Sequence, residues 1–132
     1  MPSNINSCKT DDNTIALLGG YLESLLSVKR LYLGLSQTYI TNDQLKDILG
    51  HVPNVELEFF YLGLMRAKAI TTDVVPYLAE WILKTKTKSI KLNCHMIANW
   101  DQNVKATIIN AINENEYIQE ALYGFDKVKN LM

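Results

Sequence analysis

Apolar residues recur at helical spacing in four stretches of the chain and alternate in shorter runs between them. Ile15, Leu18, Leu22 and Leu25 follow the cap-rich Asp11–Thr14 and form a first helical stripe. In TNDQLKDILG, Thr41 is placed to cap a second helix, Gln44 to close a capping box and Gly50 to end it, with Leu45, Ile48 and Leu49 as the stripe. TTDVVPYLAEWILK puts Val75, Leu78, Ala79 and Ile82 on one face of a third helix. Its Pro76 falls in the first turn, where a missing amide hydrogen costs little. The fourth, NWDQNVKATIINAI, has Asn99 as cap, Gln102 at the capping-box position and Val104, Ile108, Ala111 and Ile112 as the stripe.

The intervening runs VKRLYLGL, VELEFFYLGL, SIKLNC and YIQEALYG read as strands, with Leu31/Leu33, Leu57/Phe59 and Ile90/Leu92 on one face of the first three; in the last, Tyr117-Ile118-Gln119 alternates while Glu120-Ala121-Leu122 suits a helix equally. The tail FDKVKNLM reads as a short helix. Strands separated by helices pair in parallel, so the order αβαβαβαβ predicts an α/β protein with a parallel sheet. Residues 1–13 read as a flexible N-terminal segment and 14–132 as a single α/β repeat domain. Aligned on Leu31, Leu57, Ile90 and Ile118, the units are 26, 33 and 28 residues apart, the length range of a strand–helix repeat. Ile40, Ile70 and Ile97 recur just before the middle helices.

Two architectures share this order. A doubly wound sheet buries both faces under helices, whereas a solenoid leaves one face open. The residues opposite Leu31, Leu57 and Ile90 are Arg30 and Tyr32, then Glu56, Glu58 and Phe60, then Ser89, Lys91 and Asn93. A charged row of this kind is costly to bury, which favours helices on one face only. The same alignment sets Arg30 beside Glu56 and Glu58 beside Lys91, pairs that stabilise neighbouring strands modestly.

The stretch TTDVVPYLAEWILKTKTKSIKLNCHMI resembles a leucine-rich repeat of the ribonuclease-inhibitor type. Leu78, Ala79, Ile82 and Leu83 match its helix positions, Ile90 and Leu92 its strand, and Ile97 the apolar residue that follows. The unit beginning at Leu31 is a looser match. The pattern departs from the family where asparagine or cysteine usually satisfies turn amides, since His95 stands there in this unit and Ser36 or a neighbour in the Leu31 unit. The resemblance implies a short leucine-rich-repeat-like solenoid, with the parallel sheet exposed on one face and helices on the other. It also implies a protein-binding role, and a degenerate array like this is similar to repeat effectors that intracellular bacteria place in a host cytosol.

Charge narrows the partner. Thirteen basic and 14 acidic side chains leave a net charge of −1, so no general field draws the chain to nucleic acid or an anionic membrane. KTKTK at 84–88, without aromatic neighbours, reads as a solvated loop. The N-terminal segment lacks a signal-peptide pattern and no apolar run reaches membrane-spanning length, so the expected location is cytoplasmic, including a host cytosol. Cys8 in a polar setting and Cys94 in an apolar one argue against a disulfide.

Candidate chemistry is sparse. Cys94 and His95 are adjacent, but neighbours on a strand point to opposite faces, so Cys94 reads as a buried thiol without a base. Cys8, His51, Cys94 and His95 lack zinc-ligand spacing, and no phosphate-binding or nucleophile motif is present. Neither enzyme chemistry, a cofactor nor a metal is expected. The expected partner is a protein, and the expected binding residues are Arg30, Tyr32, Glu56, Glu58, Phe60, Lys91 and Asn93. Tyr32 and Phe60 serve as anchors and Tyr117 stands nearby. The plain alternative is that Tyr and Phe suit strands. Trp100 reads as a staple at a helix entry and Trp81 as half exposed, a second contact surface on the helical side. The runner-up readings are a doubly wound domain with a ligand-binding or enzymatic role near Gly34–Ser36, Gly63 and Cys94–Met96, and a homodimer formed through the exposed edge at YIQEALYG.

Overall fold

The computed structural model describes residues 3–4, 12–23, 29–52 and 56–130. The expectations for Cys8 and Leu25 fall outside them. Along the chain run β1 (Ser3–Asn4), α1 (Asp12–Glu23), β2 (Arg30–Gly34), α2 (Asn42–His51) and β3 (Phe59–Gly63). A single 3-10 turn at Thr72–Val74 leads into α3 (Val75–Lys84), followed by β4 (Ser89–Asn93), α4 (Gln102–Glu114), β5 (Glu120–Tyr123) and β6 (Asp126–Asn130). The protein is α/β, with four helices and a mostly parallel sheet.

The strands lie in chain order, β1 to β6, all parallel except the final antiparallel pair β5–β6. Strand order never reverses among the described residues, so the sheet lacks the switch point at which doubly wound folds bind ligands. Helices pack on their chain neighbours, α1 on α2, α2 on α3 and α3 on α4. Burial alternates along β2, β3 and β4, so one face of the sheet meets the helices and the other does not.

Local rules set the helix ends. Thr41 caps α2 with the predicted box: its hydroxyl accepts from the Gln44 amide while the Gln44 side chain accepts from the Thr41 amide. The helix runs one residue beyond Gly50, to His51. Pro76 sits in the first turn of α3, as its missing donor requires. At α4 the cap is Asp101, not Asn99. The Asp101 carboxylate accepts from the amides of Asn103 and Val104, while Asn99 adopts a left-handed turn conformation with φ 67°. Gly19 in α1 permits a close crossing with α2, because a Cβ there would lie 2.6 Å from the His51 ring.

The register of β3 differs from the sequence reading. Leu31, Phe60, Ile90 and Ala121 stand side by side, so the units advance by steps of 29, 30 and 31 residues. The amides of Glu58 and Phe59 both donate to the Lys29 carbonyl, and those of Gln119 and Glu120 both donate to Lys88. This doubled contact inserts an extra residue before the regular strand. Buried positions are accordingly three apart there, Leu57 then Phe60 and Ile118 then Ala121, and the same spacing recurs at Thr87 and Ile90. Strict alternation carried forward from Leu57 put Phe59 in the core. Instead Phe60 is fully buried, its ring 4.7 Å from that of Trp81, and Phe59 points outward. Trp81, read as half exposed, is partly buried and packs against this core.

The C-terminal end also departs from expectation. The tail is strand β6, not a helix, and it covers the edge of β5 that was read as open. The new edge carries Lys127 and Lys129, side chains that discourage edge-to-edge pairing. The N-terminal segment contributes β1, paired with Leu33 and Gly34, and the first residues of α1.

Side-chain contacts tie each unit to the next. Asn42 and Thr71 exchange two hydrogen bonds, and the Trp100 indole donates to the Thr71 carbonyl. The buried Asn115 amide donates to the carbonyls of Ile82 and Thr85. The Ser36 hydroxyl accepts from the Met65 amide of the next unit.

Candidate binding face

On the uncovered face, register assembles three rows across the strands. The lowest holds Arg30, Phe59, Ser89 and Glu120, the middle one Tyr32, Tyr61, Lys91 and Leu122, and the upper one Gly34, Gly63 and Asn93. Lys127 of β6 extends the middle row beside Leu122. The first two rows carry an aromatic cluster. The Tyr32 ring lies 5.3 Å from Phe59 and 6.2 Å from Tyr61, and the Arg30 guanidinium sits 4.9 Å above the Phe59 ring. The Arg30 Nε also donates to the Tyr32 hydroxyl at 3.3 Å. Gly63 leaves room for this cluster, because a Cβ there would meet the Tyr61 hydroxyl at 2.7 Å.

The residues expected to bind a partner divide into three groups. Arg30, Tyr32, Lys91 and Asn93 lie on the open face as read. Glu56 and Glu58 are exposed but precede β3, so the pairs Arg30–Glu56 and Glu58–Lys91 do not form: Arg30 stands opposite Phe59, and Lys91 opposite Tyr61. Phe60, the second anchor, is 0% exposed and belongs to the core. Tyr117 is exposed but lies in the turn before β5. The residues that the sequence reading missed are Phe59 and Tyr61. The FFYL run has no polar residue to mark its faces, and the usable signal was the match of Phe60-x-Leu62 to Ile90-x-Leu92.

The rim at the C-terminal ends of the strands has its own character. Gln37, Arg66 and Met96 occupy left-handed turns at corresponding positions of successive units, with φ between 58° and 62°. The Arg66 Nε contacts the Met96 sulfur at 3.1 Å. Beside them, a depression of about 300 Å³ is lined by Gln37, Tyr39, Arg66 and Lys68. Exposed Phe125 stacks on His95 at 5.8 Å.

Cys94 is buried beneath this rim, and burial pushes its thiol up to about 12. Burial raises the Tyr123 phenol to about 12 as well, with a smaller contribution from the Cys94 charge. A thiol held protonated in this way is not an activated nucleophile. No cluster of three His, Cys, Asp or Glu side chains suited to a metal ion occurs among the described residues. No helix there is long and apolar enough to cross a membrane. On the helical side, a polar depression of about 620 Å³ lies between α1 and α2, lined in part by Asp12, Asp43, Asp47 and His51.

No family model, curated protein or solved structure matches the chain.

Proposed function

We propose that the chain is a protein-binding module that engages its partner through the open face of the sheet, on the scaffold of a short leucine-rich-repeat-like solenoid. The observation that carries the reading is the half-exposed cluster of Tyr32, Phe59 and Tyr61, with Arg30 stacked on it. Aromatic and arginine side chains that sit together on a rigid surface are the usual anchors of binding hot spots. The scaffold assignment draws support from the corrected register. Leu57-x-x-Phe60-x-Leu62, Thr87-x-x-Ile90-x-Leu92 and Ile118-x-x-Ala121-x-Tyr123 repeat one apolar spacing, that of the strand segment of a leucine-rich repeat. Their steps lie at or slightly beyond the upper end of the usual repeat length of about 20–29 residues.

The test is affinity capture from a cytosolic lysate with the wild type and a Tyr32→Ala/Tyr61→Ala variant, both shown by circular dichroism to be folded. A partner held by the wild type and lost by the variant supports the reading. Equal capture by both moves the binding surface elsewhere and contradicts it.

A further inference from the structure

The open face is unevenly charged. Its middle row and the rim above it hold Lys91, Lys127, Arg66 and Lys68, and none of the four has a carboxylate partner among the described residues. The acidic groups sit elsewhere. Glu56 and Glu58 precede β3, and Glu120 opens β5 in the lowest row, so all three lie toward the opposite ends of the strands. Asp126 is engaged by Lys105 at 2.7 Å, a contact that also holds its carboxyl below the ordinary range. In the middle row Leu122 stands between Lys91 and Lys127, Tyr61 and Tyr32 continue the row beyond Lys91, and the glycines of the upper row leave the floor low.

Given that the open face is the binding surface, we infer that its partner presents an acidic segment in extended conformation, laid across the strands along the middle row and the rim. Carboxylates of the segment meet Lys91, Lys127 and the depression between Arg66 and Lys68, while apolar side chains on the same face of the segment rest on Tyr61 and Leu122. From β2 to β6 the row spans about 19 Å at the usual strand spacing, enough for about six extended residues. Nucleic acid fits less well. A phosphate backbone needs many neutralising contacts, and the middle row and rim offer four cations on a chain of net charge −1 and pI about 6.1.

The inference is tested by panning a random 12-residue display library against the wild-type protein and an R66E/K91E variant. The milder R66Q/K91Q serves if the charge reversal impairs folding. Peptides enriched on the wild type should be rich in Asp and Glu and carry apolar residues at even spacings from them, so that both kinds face the sheet. Synthesised singly, they should lose about tenfold in affinity on the variant and a similar factor between 50 and 300 mM salt. Enriched peptides without acidic bias that still depend on Tyr32 and Tyr61 would overturn the acidic partner while leaving the binding face intact. Three other results would also overturn the inference: no enrichment at all, tighter binding of an oligo-dT 12-mer than of any peptide, or a dimer in sedimentation that R66E/K91E dissociates.

Discussion

Strands β3 and β4 lie side by side in the same sheet, yet only one of them announces its faces. In β4, Ser89, Lys91 and Asn93 alternate with Ile90 and Leu92, and the polar residues mark the outside. In β3, Phe59, Phe60, Tyr61 and Leu62 follow one another, and nothing in their polarity separates the faces. The alternation that precedes them, Leu57 between Glu56 and Glu58, belongs to the irregular entry to the strand and runs out of phase with it. The apolar residues alone are compatible with either register, and a slip of one residue turns every side chain over. In β4 the polar positions therefore mark the open face, whereas in β3 only the match of Phe60-x-Leu62 to Ile90-x-Leu92 does.

Substitution can break this comparison, and the largest effect is expected at its centre. Phe60→Ala should cost about 3–5 kcal/mol in urea unfolding, the range for a buried aromatic truncated in a packed core. Phe59→Ala should cost about 1 kcal/mol, the scale of an exposed ring pair. Equal losses would put the two rings in equivalent environments and void the register. Next comes the entry to the strand. Leu57→Ala should destabilise by about 2–5 kcal/mol although Leu57 lies outside β3, whereas exposed Glu58→Ala should change stability by well under about 1 kcal/mol.

In the β4 unit the position of Leu57 is taken by Thr87, buried with its hydroxyl 2.7 Å from that of Thr85. Thr87→Val keeps the shape and removes the hydrogen bond, so a loss of about 0.5–1.5 kcal/mol is expected. A gain in stability would mean that the hydroxyl pair contributes nothing.

The smallest effect at neutral pH separates the ends of the two strands. Leu64 after β3 has no titratable group, while Cys94 occupies the matching place after β4 with its thiol raised from 9.0 to about 12. Between these values the unfolded chain gives up a proton that the folded chain retains. Stability should therefore be unaffected by this group below about pH 9 and should fall as the pH rises toward 12. Cys94→Val should flatten that decline, leaving the part due to Tyr123, which titrates in the same direction. A decline unchanged in the variant would assign the alkaline sensitivity elsewhere.

Much of the fold was legible because several signals agreed. The capping box at Thr41, Pro76 at a helix start and the buried Ile40, Ile70 and Ile97 located the α/β units without tertiary information. What escaped depended on partners distant in sequence. The cap of α4 could have been Asn99 or Asp101 until the left-handed turn at Asn99 is known. The tail Asp126–Asn130 alternates too weakly to declare itself a strand before β5 is there to pair with it. Of the open face, Arg30, Tyr32, Lys91 and Asn93 were readable from alternation, but Phe59 and Tyr61 were hidden by the uniform polarity of their strand.

The account rests most heavily on the outward orientation of Phe59 and Tyr61, and hydroxyl-radical footprinting of the native protein, read residue by residue by tandem mass spectrometry, tests it without any substitution. The structure predicts that Phe59 and Tyr61 are oxidised while Phe60 and Leu62 stay protected until the protein is denatured. Oxidation of Phe60 with protection of Phe59 would restore the opposite register and remove the aromatic cluster from the open face.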